Sequence, residues 1–367
     1  MVAAVMLAAG CFHDVSPLVD PDARDEVAFQ RARAAYDATR FVEARALFDD
    51  FVQKYGDSAR HAEAWYLAGR CRYELGSFAD AIGVLVEMRG AYPDSQFVMN
   101  ASYYVGRSEY EAKRYDEAEG ELAAFEQTYP ESEYLDDAAY YLGRTFYDQD
   151  RFVDAVAPLD RVVALESEGF IVPASYYVGR ARYELADLTG AIGDFRRVLA
   201  YEPAGMFGDN SQYYIGRSLF DEGDLDGAVP ELELAEANYP DSDYLDAIEY
   251  TLGRCHYDRA RFAEATGPFA RLAEIKGTTL RDDGLFLLGR SRYELGDLVR
   301  ALAPMNEIEQ IIPTSTFVDN ALYWQCRIYT DIHDCTSARA ARDRLQAGFP
   351  TSSELPRANS YLAGHGC

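Results

Sequence analysis

Nine arginines recur along this chain at steps of 36 or 37 residues: Arg33, Arg70, Arg107, Arg144, Arg180, Arg217, Arg254, Arg290 and Arg327. An aromatic ring stands four residues before each of them, and an Asp or Glu stands four residues after. A second ring follows three residues after each, missing only at Thr330. A guanidinium is planar, forked and permanently charged. Beside phenol rings and a carboxylate it stacks, pairs and hydrogen-bonds, and it does not shuttle protons. The chemistry this pattern offers is recognition, not bond making.

Residues three and four apart share one face of an α-helix, so each unit displays a Tyr–Arg–Tyr–acid strip. Two readings of the strip stand side by side. In one it is a structural ladder, with arginine paired to the acid one turn on and stacked on tyrosine rings. In the other it lines a groove for a partner, because Tyr and Arg dominate binding hot spots and repeat arrays bind extended partners. The groove reading takes in Tyr66, Arg70, Tyr73, Tyr103, Arg107, Tyr110, Tyr140, Arg144 and Tyr147. It continues through Tyr176, Arg180, Tyr183, Tyr213, Arg217, Tyr250, Arg254, Tyr257, Arg290 and Tyr293.

These strips need helices to hold them. Eleven residues after each arginine comes an alanine, from Ala44 to Ala338. Between arginine and alanine one helical pattern breaks and a second begins, as at Gly76 and Phe78. Prolines 93, 130, 240, 313 and 350 end second helices, since proline cannot continue one. Ser95, Ser132, Ser242, Ser315 and Ser352 follow two residues later, placed to cap the next helix. A glycine precedes seven of the arginines, with Ala32 and Cys326 at the two ends. Its helix-propensity cost, about 1 kcal/mol, is offset if it faces the alanine twelve residues on and lets paired helices approach closely. The spacing predicts an all-α solenoid of about nine helix–turn–helix repeats.

The pattern Trp65, Gly69, Gly76, Phe78, Ala81, Leu85 and Pro93 resembles the tetratricopeptide repeat, whose period is roughly 34 residues. The resemblance covers residues 26–353 and implies an α-α superhelix whose first-helix face lines a concave groove. A partial tenth unit over residues 354–367 is expected to form a capping helix. The longer connections "YPDSQFV" and "YPESEYL" are similar to those of outer-membrane tetratricopeptide lipoproteins of the BamD-like, YbgF/CpoB-like and AlgK-like classes.

The first eleven residues, "MVAAVMLAAGC", are too few to span a bilayer, which takes about 20 apolar residues. They read as the remnant of a lipoprotein signal, residues 1–11. Its "LAAGC" end resembles a lipobox that makes Cys11 the lipid attachment site. Residues 12–25 read as a tether, and Phe12 favours an outer-membrane lipoprotein facing the periplasm. The third reading is a cytoplasmic scaffold with a misread N-terminus.

The formal charge is −27, and only Lys54, Lys113 and Lys276 are lysines. Such a surface repels nucleic acid and anionic lipid. The expected partners are proteins of an envelope complex, or a glycan, with the membrane met only through the anchor. Metalloprotease, nucleotide-loop, nucleophile-elbow and dinucleotide signatures are absent, so no enzyme and no cofactor are expected. His333, Cys335, His365 and Cys367 close the chain. They are read as a Cys335–Cys367 disulfide in an oxidising compartment, with a zinc set and two free thiols as alternatives. Cys71 and Cys255 are read as buried apolar residues.

Overall fold

The structure is a computed structural model, and residues 24–367 are described. They form nineteen α-helices with no strand among the described residues. Two compact units divide at Arg161 and Val162, inside α8. The first holds α1 (Arg24–Asp37), α2 (Phe41–Lys54), α3 (His61–Glu74), α4 (Phe78–Ala91), α5 (Val98–Glu111), α6 (Tyr115–Thr128) and α7 (Leu135–Asp148), then most of α8 (Phe152–Ala164). The second begins with α9 (Ile171–Glu184), α10 (Leu188–Tyr201), α11 (Gly208–Glu222), α12 (Leu225–Asn238), α13 (Leu245–Asp258) and α14 (Phe262–Glu274). It ends with α15 (Arg281–Glu294), α16 (Leu298–Ile311), α17 (Val318–Asp331), α18 (Cys335–Gly348) and α19 (Glu354–Gly364). Odd-numbered helices up to α17 carry the arginines and even-numbered ones the alanines, so the chain consists of helix–turn–helix hairpins. Within each unit consecutive helices pack on one another, α7 on α8 through Gly143 and Leu159.

The nine alanines are all fully buried. Facing them, a Cβ on Gly69 would stand 2.5 Å from Leu85, and one on Gly253 would stand 2.5 Å from Phe269. The notch left by glycine therefore receives the side chain sixteen residues on, and not the alanine at twelve as the spacing alone suggested. The reason is reach: a leucine or phenylalanine one helical turn past the alanine can enter the notch, and an alanine methyl cannot.

Each hairpin turn uses one left-handed residue, six after the arginine. Only Gly76, Gly223 and Gly296 among these are glycine; Thr39, Lys113, Asp150, Ala186, Ala260 and His333 adopt φ between 56° and 62°. Prolines 93, 130, 240, 313 and 350 each follow the end of a second helix.

The serines after those prolines do not cap helices. Their hydroxyls accept from the amide two residues on, as Ser132 does from Tyr134 at 3.1 Å, ahead of the first helical residue. In three of the five the hydroxyl hydrogen goes to an aspartate of the preceding repeat: Ser242 donates to Asp209 at 2.9 Å, Ser315 to Asp282 at 2.5 Å and Ser352 to Asp319 at 2.7 Å. At these steps serine ties one repeat to the next. Ser58 makes the same bond to Asp25, which lies inside α1. That helix starts at Arg24, within the stretch read as tether, because Asp25 and Glu26 suit a helix N-terminus.

Candidate functional site

The expected strips lie on neighbouring first helices within each unit, and their parts contact one another. The rings four residues before the arginines are packing groups. Tyr66, Tyr103, Tyr140, Tyr176 and Tyr213 are buried. Tyr103 stacks on Tyr134 with centroids 4.6 Å apart, Tyr176 on Phe207 at 4.5 Å and Tyr213 on Tyr244 at 5.0 Å. In each case the second ring introduces the next repeat. These tyrosines, expected to line a groove, do not present ring faces outward. Tyr250 is half-buried.

The arginines run between rings of adjacent repeats. Arg107 lies 5.0 Å from the Tyr73 ring on one side and 4.8 Å from Tyr141 on the other. Arg70 is 3.5 Å from Tyr104, Arg180 is 4.3 Å from Tyr214, and Arg290 is 4.4 Å from Trp324. These receiving rings stand three residues before the next arginine, a position the sequence reading passed over. Its signal was present: Tyr104, Tyr141, Tyr214 and Trp324 are aromatic, whereas the counterparts facing Arg217 and Arg254 are Thr251 and Leu287. The difference sets exposure. Arg70 and Arg180 are 14% and 18% exposed, against 32% and 33% for Arg217 and Arg254. Arg290, over the larger Trp324 ring, lies between at 29%.

The remaining groups close the ladder. Arg70 pairs with Glu74 at 2.6 Å, Arg217 with Asp221 at 2.9 Å and Arg254 with Asp258 at 3.0 Å. Arg144 reaches Asp148 at 3.3 Å. Three of the rings after the arginines, all half-exposed, donate across to the next repeat's acid: Tyr110 to Asp148 at 2.8 Å, Tyr183 to Asp221 at 2.6 Å and Tyr293 to Asp331 at 2.7 Å. Tyr147 and Tyr257 pack against Phe152 and Phe262 at the start of their own second helices. Burial pushes the Tyr104 and Tyr141 phenols up to about 12, so they stay neutral. Positive and negative charge balance along the face, inside a strongly acidic chain.

Cys335 and Cys367 are joined as a disulfide, with their Cα atoms 5.0 Å apart. Of the zinc alternative, His365 is engaged through Nδ1 with the Tyr361 carbonyl at 2.8 Å, and His333 occupies the α17–α18 turn. No metal-binding cluster occurs among the described residues. Cys71, Cys255 and Cys326 are buried, and burial pushes their thiols up to about 12, 12 and 11, well away from a reactive thiolate. Cys11 lies outside the described residues. No helix of the described residues is long and apolar enough to cross a membrane.

A family profile described as tetratricopeptide repeat matches residues 29–96, 106–169 and 178–243, more than half the chain. Among solved structures, the C-terminal part of a TPR repeat-containing protein from Cytophaga hutchinsonii is similar, at 16% identity and a TM-score of 0.56. That likeness covers 70% of this chain and 98% of the other, and it concerns the fold. A tetratricopeptide repeat protein from Parabacteroides merdae matches at 12% identity over 73% of this chain and 98% of its own, with a TM-score of 0.45. PilF from Pseudomonas aeruginosa matches at 16% identity over 61% and 96%, with a TM-score of 0.43. A search of curated proteins gives no match.

Proposed function

The chain belongs to the tetratricopeptide repeat family, and from that premise we propose that it is a non-enzymatic scaffold that holds an extended protein partner along its first-helix face. The supporting observation is the register. A half-exposed tyrosine and an arginine–acid pair return together on successive first helices, as Tyr257 with Arg254 and Asp258, then Tyr293 with Arg290 and Glu294. An extended chain crossing the helices meets one such set per repeat, and the balanced charge spares it the repulsion of the acidic surface elsewhere. We further propose that Cys11 carries a lipid and that the scaffold serves an envelope assembly from the periplasmic side of the outer membrane. The tyrosine-rich face also suits a glycan, as in an accessory of polysaccharide export or of peptidoglycan-associated machinery.

A photo-crosslinking residue in place of Tyr257, compared with one at the exposed Val299 on the second-helix side, tests the face. A discrete protein adduct from position 257 alone supports the reading; adducts from position 299 alone, or a glycan adduct, overturn it. Metabolic palmitate labelling with cell fractionation tests the anchor. An unlabelled, soluble protein supports the cytoplasmic reading and removes the envelope one.

A further inference from the structure

Several adjacent second helices are tied together by long charged side chains. Glu126 of α6 takes Arg161, Glu236 of α12 takes Arg271 at 3.1 Å, and Glu309 of α16 takes Arg344 at 2.8 Å. In all three, the glutamate is the eighth residue after its repeat's alanine and the arginine the sixth after the next. The first helix beneath supplies a polar anchor: Glu249 receives Arg271 at 2.6 Å, and Gln325 receives Arg344 at 2.6 Å.

Between α14 and α16 the same two positions hold Ala273 and Glu307, and the floor positions on α15 hold Leu285 and Leu288. The bridge cannot form. A cleft of about 480 Å³ stands in its place, floored by those leucines and walled by Ala270, Ala273, Ala303 and Pro304. Cations stand toward both ends. Lys276 and Arg281 lie at one end, where Glu274 and Glu307 also stand, and Arg292 lies at the other. Arg281 donates to Glu307 at 2.6 Å, while its buried Nε has no hydrogen-bond partner. Arg292 donates to the Arg300 carbonyl at 3.1 Å, and its pKa is lowered by burial and by the Arg300 charge. Lys276 and Arg292 form no ion pair among the described residues. Three cations against two acids make this cleft net positive in a chain of −27.

We propose that the α14–α15–α16 cleft is a second docking site, taking a short peptide segment of a protein partner with an apolar centre and a carboxylate toward each end. From Arg281 to Arg292 helix α15 rises about 16 Å, the length of roughly five extended residues. The apolar centre covers Leu285 and Leu288. The flanking carboxylates meet Lys276 and Arg281 at one end and Arg292 at the other, as the bridging glutamates meet arginine in the three bridged steps.

The test uses the full chain and a phage-displayed library of random twelve-residue peptides. Selected peptides are synthesised and titrated against the wild type, against A273E/E307R, which restores the bridge, and against K276E/R292E, which reverses the ends. Thermal midpoints establish that each variant is folded. The expected result is enrichment of apolar stretches flanked by Asp or Glu, with affinity reduced at least tenfold in both folded variants. Peptides that bind wild type and A273E/E307R equally report another surface, the first-helix face included. If all selected peptides behave so, or none is enriched, the site does not exist, whatever becomes of the first-helix reading. If either variant fails to fold, crosslinking of the selected peptide to a photo-reactive residue at position 303 decides in its place, and absence of an adduct overturns the proposal.

Discussion

The guanidinium carbon of Arg70 lies 3.5 Å from the centre of the Tyr104 ring, which belongs to the following repeat. One repeat supplies the cation and the next supplies the surface it rests on, so this contact is part of what couples neighbouring hairpins. Where the receiving ring is absent, as under Arg254, the arginine is more exposed. Restoring it should add coupling: L287Y is expected to raise stability by about 0.5–1 kcal/mol. Y104L, which removes a ring packed on Tyr66, Tyr103 and Tyr134 as well, should lower it by about 2 kcal/mol or more. Urea denaturation reads both; an L287Y chain no more stable than wild type would deny the ring its role.

The hairpin turns carry strain that glycine would relieve. Thr39, Ala186 and Ala260 hold φ of 56°, 59° and 56°, in a region where a Cβ is crowded. T39G, A186G and A260G should each stabilise the chain by about 0.5–1 kcal/mol, after allowance for glycine's greater freedom when unfolded. G76A and G296A should destabilise by a similar amount. The thermal midpoints of the five variants order the two groups, and glycine variants at or below wild type would refute the strain.

The helical glycines make a different demand. At Gly69 there is no strained φ, only the Leu85 side chain where a Cβ would stand. G69A should therefore cost about 1–3 kcal/mol through overpacking. The double variant G69A/L85A should cost less than the two single losses added together, because shortening Leu85 opens room for the new methyl. Strict additivity in a double-mutant cycle would show that the two positions do not meet.

The period, the helices and the face they share were legible in the sequence because each depends on spacing within one repeat. Arg107, Tyr103 and Tyr110 belong to one helix, so their register follows from helical geometry alone. What escaped depends on how two repeats are offset. Tyr104 gains its role only when set against Arg70, and Ser242 only when set against Asp209. Leu85 fills the Gly69 notch by virtue of side-chain length, which spacing does not encode. The open cleft was hidden for the same reason. It is a substitution pattern, Ala273 with Glu307, that means something only once α14 and α16 lie side by side.

The Cys335–Cys367 bond closes a loop of sequence separation 32 and fixes α19 against α17 and α18. Constraint of the unfolded chain over such a loop contributes roughly 2–4 kcal/mol. Because tetratricopeptide arrays unfold partly by repeat, the loss on reduction should be local. Reductant, or C335S/C367S, is expected to raise hydrogen exchange in α19 and α18 while the amides of α3 to α6 keep their protection. Mass spectrometry without reductant should find the two cysteines linked. Free thiols with one bound zinc ion would reverse the assignment.

Glu109 makes stability depend on pH. It is buried on α5, and burial first, then the neighbouring Glu121 charge, pushes its pKa up to about 7. The nearby Arg89 is engaged by Glu121, and Glu109 Oε2 has no hydrogen-bond partner. In the unfolded chain the group titrates near 4.5. Between those values the folded chain holds a proton that the unfolded chain has released, so folding grows less favourable as pH rises, and the effect levels off above 7. Asp137, Asp194 and Glu249, also raised by burial, add to the slope in the same sense. E109Q stays neutral throughout. It should flatten the fall between pH 5 and 7 and leave the variant more stable than wild type at pH 8, by an amount on the order of 1–3 kcal/mol. Urea midpoints at pH 5, 6, 7 and 8 measure it, and parallel profiles for the two proteins would place the slope elsewhere.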